Sequence, residues 1–165
     1  MKLRRCMSAF VLLITAIPVW AGSIDDGVVV TPASNLARDA TEASRQGVAI
    51  LLEFAADDCG YCRQLEEEFL KPMLRSGDYT DRVIMLELYS DSIAQLRDFN
   101  GKLISADKLI HRYNAGFAPT VVFLDSQGKE QAERLIGITT RDFYGGFLDE
   151  AIDESLRNVR KTASN

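Results

Sequence analysis

The feature that most constrains the fold of this chain is an abrupt change of pattern after residue 56. Residues 48–56, VAILLEFAA, are almost continuously apolar, which is typical of a strand buried on both faces. Two aspartates end this run, and the sequence Cys-Gly-Tyr-Cys follows at 59–62. From Cys62 onwards, apolar residues recur at spacings of three and four, as on one face of a helix. The sequence therefore predicts a central strand that leads into a helix whose first turn carries two cysteines.

Two cysteines three residues apart can bind a metal, cross-link a fold or exchange electrons. A disulfide between Cys59 and Cys62 closes a short loop, so its entropic contribution to stability is small. A structural zinc site takes four ligands, and beyond residue 21 the chain offers His111 as the one further sulfur or imidazole ligand. We therefore expect no metal site and no cofactor. We also expect His111 to pack at a helix end rather than to activate Cys59 as in a protease.

The first 21 residues have the pattern of a cleaved secretory signal peptide. Lys2, Arg4 and Arg5 precede an apolar stretch, and small residues follow it, which predicts cleavage after Ala21. The stretch is shorter than the roughly 20 residues that cross a bilayer as a helix; the alternative is an uncleaved amphipathic anchor. Cys6 precedes the apolar stretch and should leave with the signal. The pattern predicts export to a compartment in which disulfides persist.

The rest of the chain is expected to form one domain over residues 22–159, followed by a polar tail at 160–165. The net charge of the whole chain is −5, and no basic stripe accompanies it. This net negative charge argues against binding to nucleic acid, because proteins bind it largely through basic side chains that neutralise its phosphates. Anionic membrane surfaces are disfavoured for the same reason.

Strand and helix patterns alternate along this domain. The predicted strands lie at 27–30, 48–56, 82–89, 120–125 and 132–137, and the predicted helices lie at 33–47, 60–73, 105–114 and 139–159. Gly47 should cap the end of the first helix, Ser105 should cap the start of the third, and Pro72 should kink or shorten the second. The alternation predicts an α/β fold with a mixed central sheet.

Two segments together resemble the thioredoxin superfamily over roughly residues 27–155. They are the Cys-Gly-Tyr-Cys motif at a helix start and YNAGFAPT at 113–120, which precedes a strand, a turn and a further strand. The signal-like segment and the FLKPM sequence at 69–73 are similar to periplasmic thioredoxin-like proteins, including the SoxW-like branch. The resemblance implies a thioredoxin fold, with a mixed central sheet flanked by helices on both faces, and a periplasmic location.

The resemblance also assigns roles to residues. Cys59, at the helix start, would be the nucleophile, because the unpaired N–H groups there favour its thiolate, and Cys62 would resolve the mixed disulfide. Glu53 lies six residues before Cys59, where thioredoxins have a buried acid. A buried carboxyl has a raised pKa and can exchange a proton near neutral pH. The alternative is an outward-facing Glu53 in a salt bridge.

Other residues are implied to contact the substrate. Pro119 falls where the family has a cis-proline opposite the cysteines, and this would expose the backbone of Ala118 for pairing with a substrate. Tyr61 and Gly60, between the cysteines, would touch the substrate as well. The alternatives are an ordinary trans turn proline and a simple surface aromatic.

The chain departs from the family pattern in two places. Asp58 stands where thioredoxins have a tryptophan, and Asp57 precedes it, so two negative charges lie beside Cys59; like charge disfavours a thiolate. The penalty shrinks if both aspartates cap the helix. Residues 90–103 have no counterpart in a minimal thioredoxin and form a predicted insertion, either a substrate-facing loop or a solvent-exposed segment without a role.

The predicted function is that of an exported, monomeric thiol:disulfide oxidoreductase. It would reduce disulfides in other exported proteins and be recharged by a membrane-borne thiol reductant. The alternatives are a disulfide isomerase or oxidase, and a redox-inactive binding module of the same fold.

Overall fold

The structure, a computed structural model, describes residues 27–91 and 95–164 of the chain. The predicted signal peptide at 1–21, with Cys6 and the cleavage site, lies outside the described residues. No helix in these two ranges has the length and apolar character needed to cross a membrane.

Strands and helices alternate along the described chain. The strands are β1 (Thr31–Pro32), β2 (Ala49–Ala55), β3 (Val83–Tyr89), β4 (Gln95–Arg97), β5 (Leu103–Ser105), β6 (Thr120–Leu124) and β7 (Leu135–Ile136). The helices are α1 (Leu36–Gln46), α2 (Gly60–Leu65), α3 (Lys71–Ser76), α4 (Ala106–Tyr113) and α5 (Arg141–Ala163), and a π-helical segment, Glu66–Leu70, joins α2 to α3.

Five strands form one mixed sheet in the order β1-β3-β2-β6-β7. The central strand is β2, which is parallel to β3 and antiparallel to β6. Helices α1 and α4 pack on one face of the sheet, and α2, α3 and α5 pack on the other. The predicted α/β architecture, with a mixed central sheet flanked by helices on both faces, is confirmed, and so is the central position of the strand at 48–56.

Side chains of β2 alternate between the two faces, as the period of a strand requires. Leu52 and Phe54 belong to the core beneath α1 and α4, whereas Ala49 and Leu51 belong to the core beneath α2, α3 and α5. Glu53 continues this second series, so it points toward the helix that follows the cysteines.

The first strand differs from the prediction. The strand expected at 27–30 is wrong: β1 is Thr31–Pro32, which pairs with Leu86 and Glu87 of β3. Pro32 is tolerated there because β1 is an edge strand, whose outward N–H groups need no partner. Val30 is fully buried in the core beneath α2, so its apolar character reflects packing rather than pairing.

The predicted helix ends are partly confirmed. Gly47 ends α1 with φ +66°, the left-handed conformation that glycine adopts without strain. The expected shortening at Pro72 is wrong, because α3 continues to Ser76; Pro72 lies in the first turn of α3, after the π-helical segment, where a missing N–H is tolerated. Ser105 precedes α4 without a capping side-chain hydrogen bond.

The last elements also differ from the predicted bounds. Strand β7 has only two residues, against the six expected at 132–137. Helix α5 continues into the predicted polar tail as far as Ala163. The guanidinium of Arg160 explains this extension, because it donates hydrogen bonds to the backbone oxygens of Gly47 and Asp81, both at 3.1 Å.

The predicted insertion contains a β-hairpin that is part of the core. Strands β4 and β5 pair antiparallel, and Leu96 and Ile104 are 2% and 4% exposed in the core beneath α1 and α4. The buried carboxylate of Asp98 accepts the N–H groups of the connecting turn and pairs with Arg112 at 3.0 Å. The described part of the insertion is therefore not a solvent-exposed appendage.

Replacing a buried residue of this hairpin should destabilise the whole domain. We expect Leu96→Ala to lower the free energy of unfolding by about 2–4 kcal/mol, because it leaves a cavity in the core. Leu103→Ala, in the same hairpin but 51% exposed, is the matched control and should change it by less than about 0.5 kcal/mol. Urea denaturation measures both. Equal effects of the two substitutions would contradict the packing described above.

Candidate active site

The two cysteines lie where β2 passes into α2. Cys59 occupies the N-cap position of α2, and its Sγ accepts a hydrogen bond from the backbone N–H of Cys62 at 3.0 Å. Since the cap position is taken by sulfur, the alternative in which Asp57 and Asp58 cap the helix is wrong. The backbone carbonyl of Asp57 instead accepts a hydrogen bond from Arg63 at 3.4 Å.

Cys59 and Cys62 form a disulfide bond. The two sulfurs are 2.11 Å apart and the two Cα atoms 5.2 Å apart. Cys59 is partly exposed, whereas Cys62 is 4% exposed. Cys59 is therefore the more accessible of the two cysteines to a partner molecule.

Strand β6 brings a proline to the same edge of the sheet. Thr120 pairs with Phe54, near the end of β2, so the residues before Thr120 lie beside the turn that leads to Cys59. The Ala118–Pro119 peptide bond is cis. The carbonyl of Pro119 accepts the N–H of Gly137 at 2.8 Å, and this bond fixes the loop against the end of β7.

Exposed apolar side chains of α2, the proline loop and β7 lie around this edge. Tyr61 is 60% exposed, Phe117 62% and Ile136 50%. A Cβ atom at Gly137 would lie 3.5 Å from the ring of Phe117, so Phe117 covers the junction between β7 and the proline loop. Sequence reasoning missed Phe117 and Ile136, although an aromatic residue just before Ala118-Pro119 was a usable signal.

The residue beneath the cysteines is a buried acid. Glu53 is 1% exposed, and its Oε1 is buried with no hydrogen-bond partner among the described residues. Burial, together with the charges of Glu87 and Glu66, raises the pKa of Glu53 from 4.5 to about 8. The alternative of an outward-facing Glu53 in a salt bridge is wrong.

Two further carboxyl groups lie near Glu53, and sequence reasoning missed both. Glu87 is the register partner of Glu53 on β3; burial, together with the charge of Glu66, raises its pKa to about 7. Glu66 lies one helical turn after Cys62 and pairs with Lys71 at 3.2 Å. The available signal was that each buried strand, VAILLEFAA and RVIMLELY, carries a single glutamate within an apolar run.

Exposed acids surround the other side of the cysteines. Asp57 and Asp58 are both exposed. The backbone N–H of Asp57 donates to the carboxylate of Asp91 at 3.1 Å, which brings a third carboxylate to the loop before Cys59. Asp91 belongs to the start of the predicted insertion, so this segment contacts the active-site loop.

Metal ligands do not converge on the cysteines. Within residues 27–91 and 95–164, no group of three or more His, Cys, Asp or Glu side chains is arranged to hold a metal ion. His111 lies exposed in the last turn of α4.

A family model for the thioredoxin-like domain matches residues 36–152, which include both cysteines, Glu53 and Pro119. The chain belongs to the thioredoxin-like family. It is 28% identical over 123 residues to the thiol:disulfide interchange protein DsbD 2 of Pseudomonas aeruginosa. That match covers 73% of this chain but 19% of the relative, so the chain corresponds to about a fifth of that protein.

Solved structures share the thioredoxin-like fold. The DsbH oxidoreductase superposes with a TM-score of 0.57 at 16% identity, over 84% of this chain and 95% of that one. The thioredoxin NaTrxh from Nicotiana alata gives a TM-score of 0.48 at 20% identity, over 74% of this chain and 95% of that one. At 16% identity, the likeness to the DsbH oxidoreductase concerns the fold alone.

Burial of Glu53 should make the stability of the oxidised protein fall as the pH rises. The unfolded glutamate loses its proton near 4.5, whereas the folded one keeps it to about 8, so the folded state binds more protons between these values. The free energy of unfolding should therefore drop by about 2–4 kcal/mol between about pH 5 and pH 9. Denaturation in urea at a series of pH values measures this drop.

In Glu53→Gln this drop should shrink, and the variant should be more stable than the wild type at about pH 8 and above. Glu150→Gln, at an exposed position of α5, removes the same charge and should follow the wild-type curve. A Glu53→Gln variant that is less stable than the wild type at high pH would show that the buried carboxylate is favourably solvated.

Proposed function

We propose that this protein is an exported thiol:disulfide oxidoreductase that reduces disulfides in other exported proteins. The observation that carries the proposal is the disulfide between a partly exposed Cys59 and a buried Cys62 at a helix start, above a buried acid. A binding module needs none of these three features. The relative named a thiol:disulfide interchange protein supports the same reaction class.

In the reduced protein, Cys59 would be the nucleophile. The backbone N–H of Cys62 points at the sulfur of Cys59, and such a donor stabilises a thiolate. The thiolate attacks one sulfur of the partner's disulfide; a new S–S bond forms to Cys59, and the partner's other sulfur leaves with the electron pair as a thiolate.

Cys62 would complete the exchange. Its thiol loses a proton, and the resulting thiolate attacks the sulfur of Cys59. The bond between Cys59 and the partner breaks, and the second partner sulfur leaves with its electron pair. The protein is oxidised by two electrons and the partner disulfide is reduced to two thiols. Glu53 is proposed as the base, because burial keeps its pKa near the pH at which it must exchange a proton.

The partner would bind across the exposed side chains at this edge of the sheet. Tyr61 and Phe117 offer apolar contact beside Cys59, and Gly60 leaves room between the cysteines. The backbone of Ala118, next to the buried ring of Pro119, is proposed to pair with an extended segment of the substrate, as exposed strand edges do with peptides.

The direction of the reaction is proposed to be reduction. The exposed carboxylates of Asp57 and Asp58 disfavour a thiolate at Cys59 by like-charge repulsion. A less stabilised thiolate makes the disulfide a weaker oxidant. The protein would then act as a periplasmic monomer recharged by a membrane-borne thiol reductant. Membership of the SoxW-like branch stays a prediction.

Single cysteine variants test the assigned order of attack. Cys62→Ser should accumulate a mixed disulfide with a partner, because Cys59 can attack but nothing resolves the product. Cys59→Ser should form almost none, because Cys62 is buried. Both variants should lose insulin reduction by more than about 100-fold. Non-reducing electrophoresis with mass spectrometry identifies the adduct, and the reverse pattern would overturn the order.

The direction of the reaction is tested by equilibrating the wild-type protein with a glutathione redox series. A dithiol that acts as a reductant should have a potential closer to about −270 mV than to the roughly −120 mV of a strong periplasmic oxidant. Asp57→Asn/Asp58→Asn should shift the potential toward the oxidising side. A strongly oxidising wild type would favour the oxidase or isomerase alternative, and a pair that stays reduced and inactive would favour the binding module.

A further inference from the structure

We propose that Glu87 shares one proton with Glu53, and that this carboxylate pair, rather than Glu53 alone, takes the proton of the Cys62 thiol. The inference rests on the proposed function, because it concerns the resolving step of that reaction. The inference adds Glu87, on β3, to the proton-accepting group, and the cysteine motif gives no sign of this residue.

The sheet register places the two glutamates at neighbouring positions on the same face of the sheet. Glu53 and Glu87 are direct partners on the parallel strands β2 and β3. Adjacent strands are about 4.8 Å apart, and partner side chains leave the sheet on the same face. Leu51 and Met85, the partners one step earlier, lie in the core beneath α2, α3 and α5, so the two glutamates point to that side as well.

One positive group, Lys71, offsets part of the negative charge of this pair, because its charge lowers the pKa of Glu87. Its Nζ contacts Glu66 at 3.2 Å and Glu67 at 2.6 Å, however, and neither glutamate of the pair. Neither Glu53 nor Glu87 has an ion-pair partner in the described part of the chain. Two carboxyl groups on neighbouring strands, one of them 1% exposed, disfavour each other's ionisation, so the pair retains one proton near neutral pH.

The other groups that face the pair add no positive charge to it. Tyr144 of α5 has a buried hydroxyl without a hydrogen-bond partner among the described residues, and burial raises its pKa, as does the charge of Glu53. Burial raises the pKa of Tyr89, on β3, to about 12. Both phenols therefore stay neutral, and Glu66, held by Lys71, adds negative charge.

A pair that holds one proton is able to accept a second. The buried thiol of Cys62 lies one helical turn from Glu66, which interacts electrostatically with both glutamates. When Cys62 attacks the sulfur of Cys59, its proton moves to the pair, which changes from one proton to two. The partner's leaving thiolate takes up a proton from water, and the pair later returns its extra proton to water.

Glu87 provides the exit for that proton. Glu53 is 1% exposed and has no contact with bulk water, whereas Glu87 is half-buried. Removing Glu87 should therefore alter both the proton affinity of Glu53 and its exchange with water.

Infrared titration tests the shared proton without any activity. The oxidised wild type should show a protonated-carboxyl band at neutral pH, which disappears as the pH rises. In Glu87→Gln the repulsion is gone, so the band should titrate at least about one pH unit lower. Glu53→Gln should produce the reciprocal shift for Glu87. Unchanged titration of Glu53 in Glu87→Gln would overturn the pair.

A stopped-flow measurement tests the role of the pair in resolution. Thionitrobenzoate is attached to Cys59, and its release by Cys62 is followed against pH. Glu53→Gln should slow release about 10- to 100-fold near neutral pH, as for the loss of a general base. Glu87→Gln should slow it as well and change the shape of the pH profile, because a single carboxyl group then titrates in place of the coupled pair.

Two controls separate this role from a structural one. Glu87→Asp keeps the carboxyl group and should restore most of the wild-type rate and profile, and Glu150→Gln, exposed on α5, should leave both unchanged. If Glu87→Gln keeps the wild-type profile, the pair has no part in the step. If the wild type does not release thionitrobenzoate at all, the proposed function fails, while the infrared result still decides the shared proton.

Discussion

The site depends on the burial of β2 on both faces and along both edges. All seven residues of this strand are buried, because it pairs with β3 on one side and β6 on the other and helices cover both faces. The C-terminal end of β2 is therefore held in place, and so is the start of the turn that carries Cys59. The same pairing brings the loop of Pro119 to that edge and sets Glu87 beside Glu53.

The burial of β2 also determines the protonation of the acids beneath the cysteines. A glutamate in the middle of a fully buried strand costs stability whenever it is ionised, and a second one beside it increases that cost. The chain has glutamates at both positions, and Lys71 pairs with Glu66 and Glu67 instead. In the proposed mechanism, the interior beneath the cysteines therefore holds a proton at neutral pH. Stability is lowered there, at the place where the proposed reaction needs a group that exchanges protons.

Much of the fold followed from local patterns. The apolar run of β2, the spacing of three and four after Cys62, and Gly47 at the end of α1 each depend on residues close in sequence. Val30 and Leu96 differ from the prediction because neighbours distant in sequence decide the outcome: Val30 is apolar because it packs beneath α2, and Leu96 fills a core formed by α1 and α4. Pro72 differs for a local reason, since the π-helical segment directly before it accommodates the proline. The exposed pair Phe117 and Ile136 likewise comes together only in the folded chain.

The sequence by itself determined that two cysteines stand at the junction of a buried strand and a helix. Strand and helix periodicities extend over only a few residues, so they can be recognised from the order of apolar and polar residues. Only the tertiary structure decided which residue lies beside Glu53. The register of β2 against β3 joins positions 34 residues apart through a helical crossover, and it is set by how the cores on both faces of the sheet pack. Whether a glutamate in a strand is an isolated acid or half of a pair is a property of that packing.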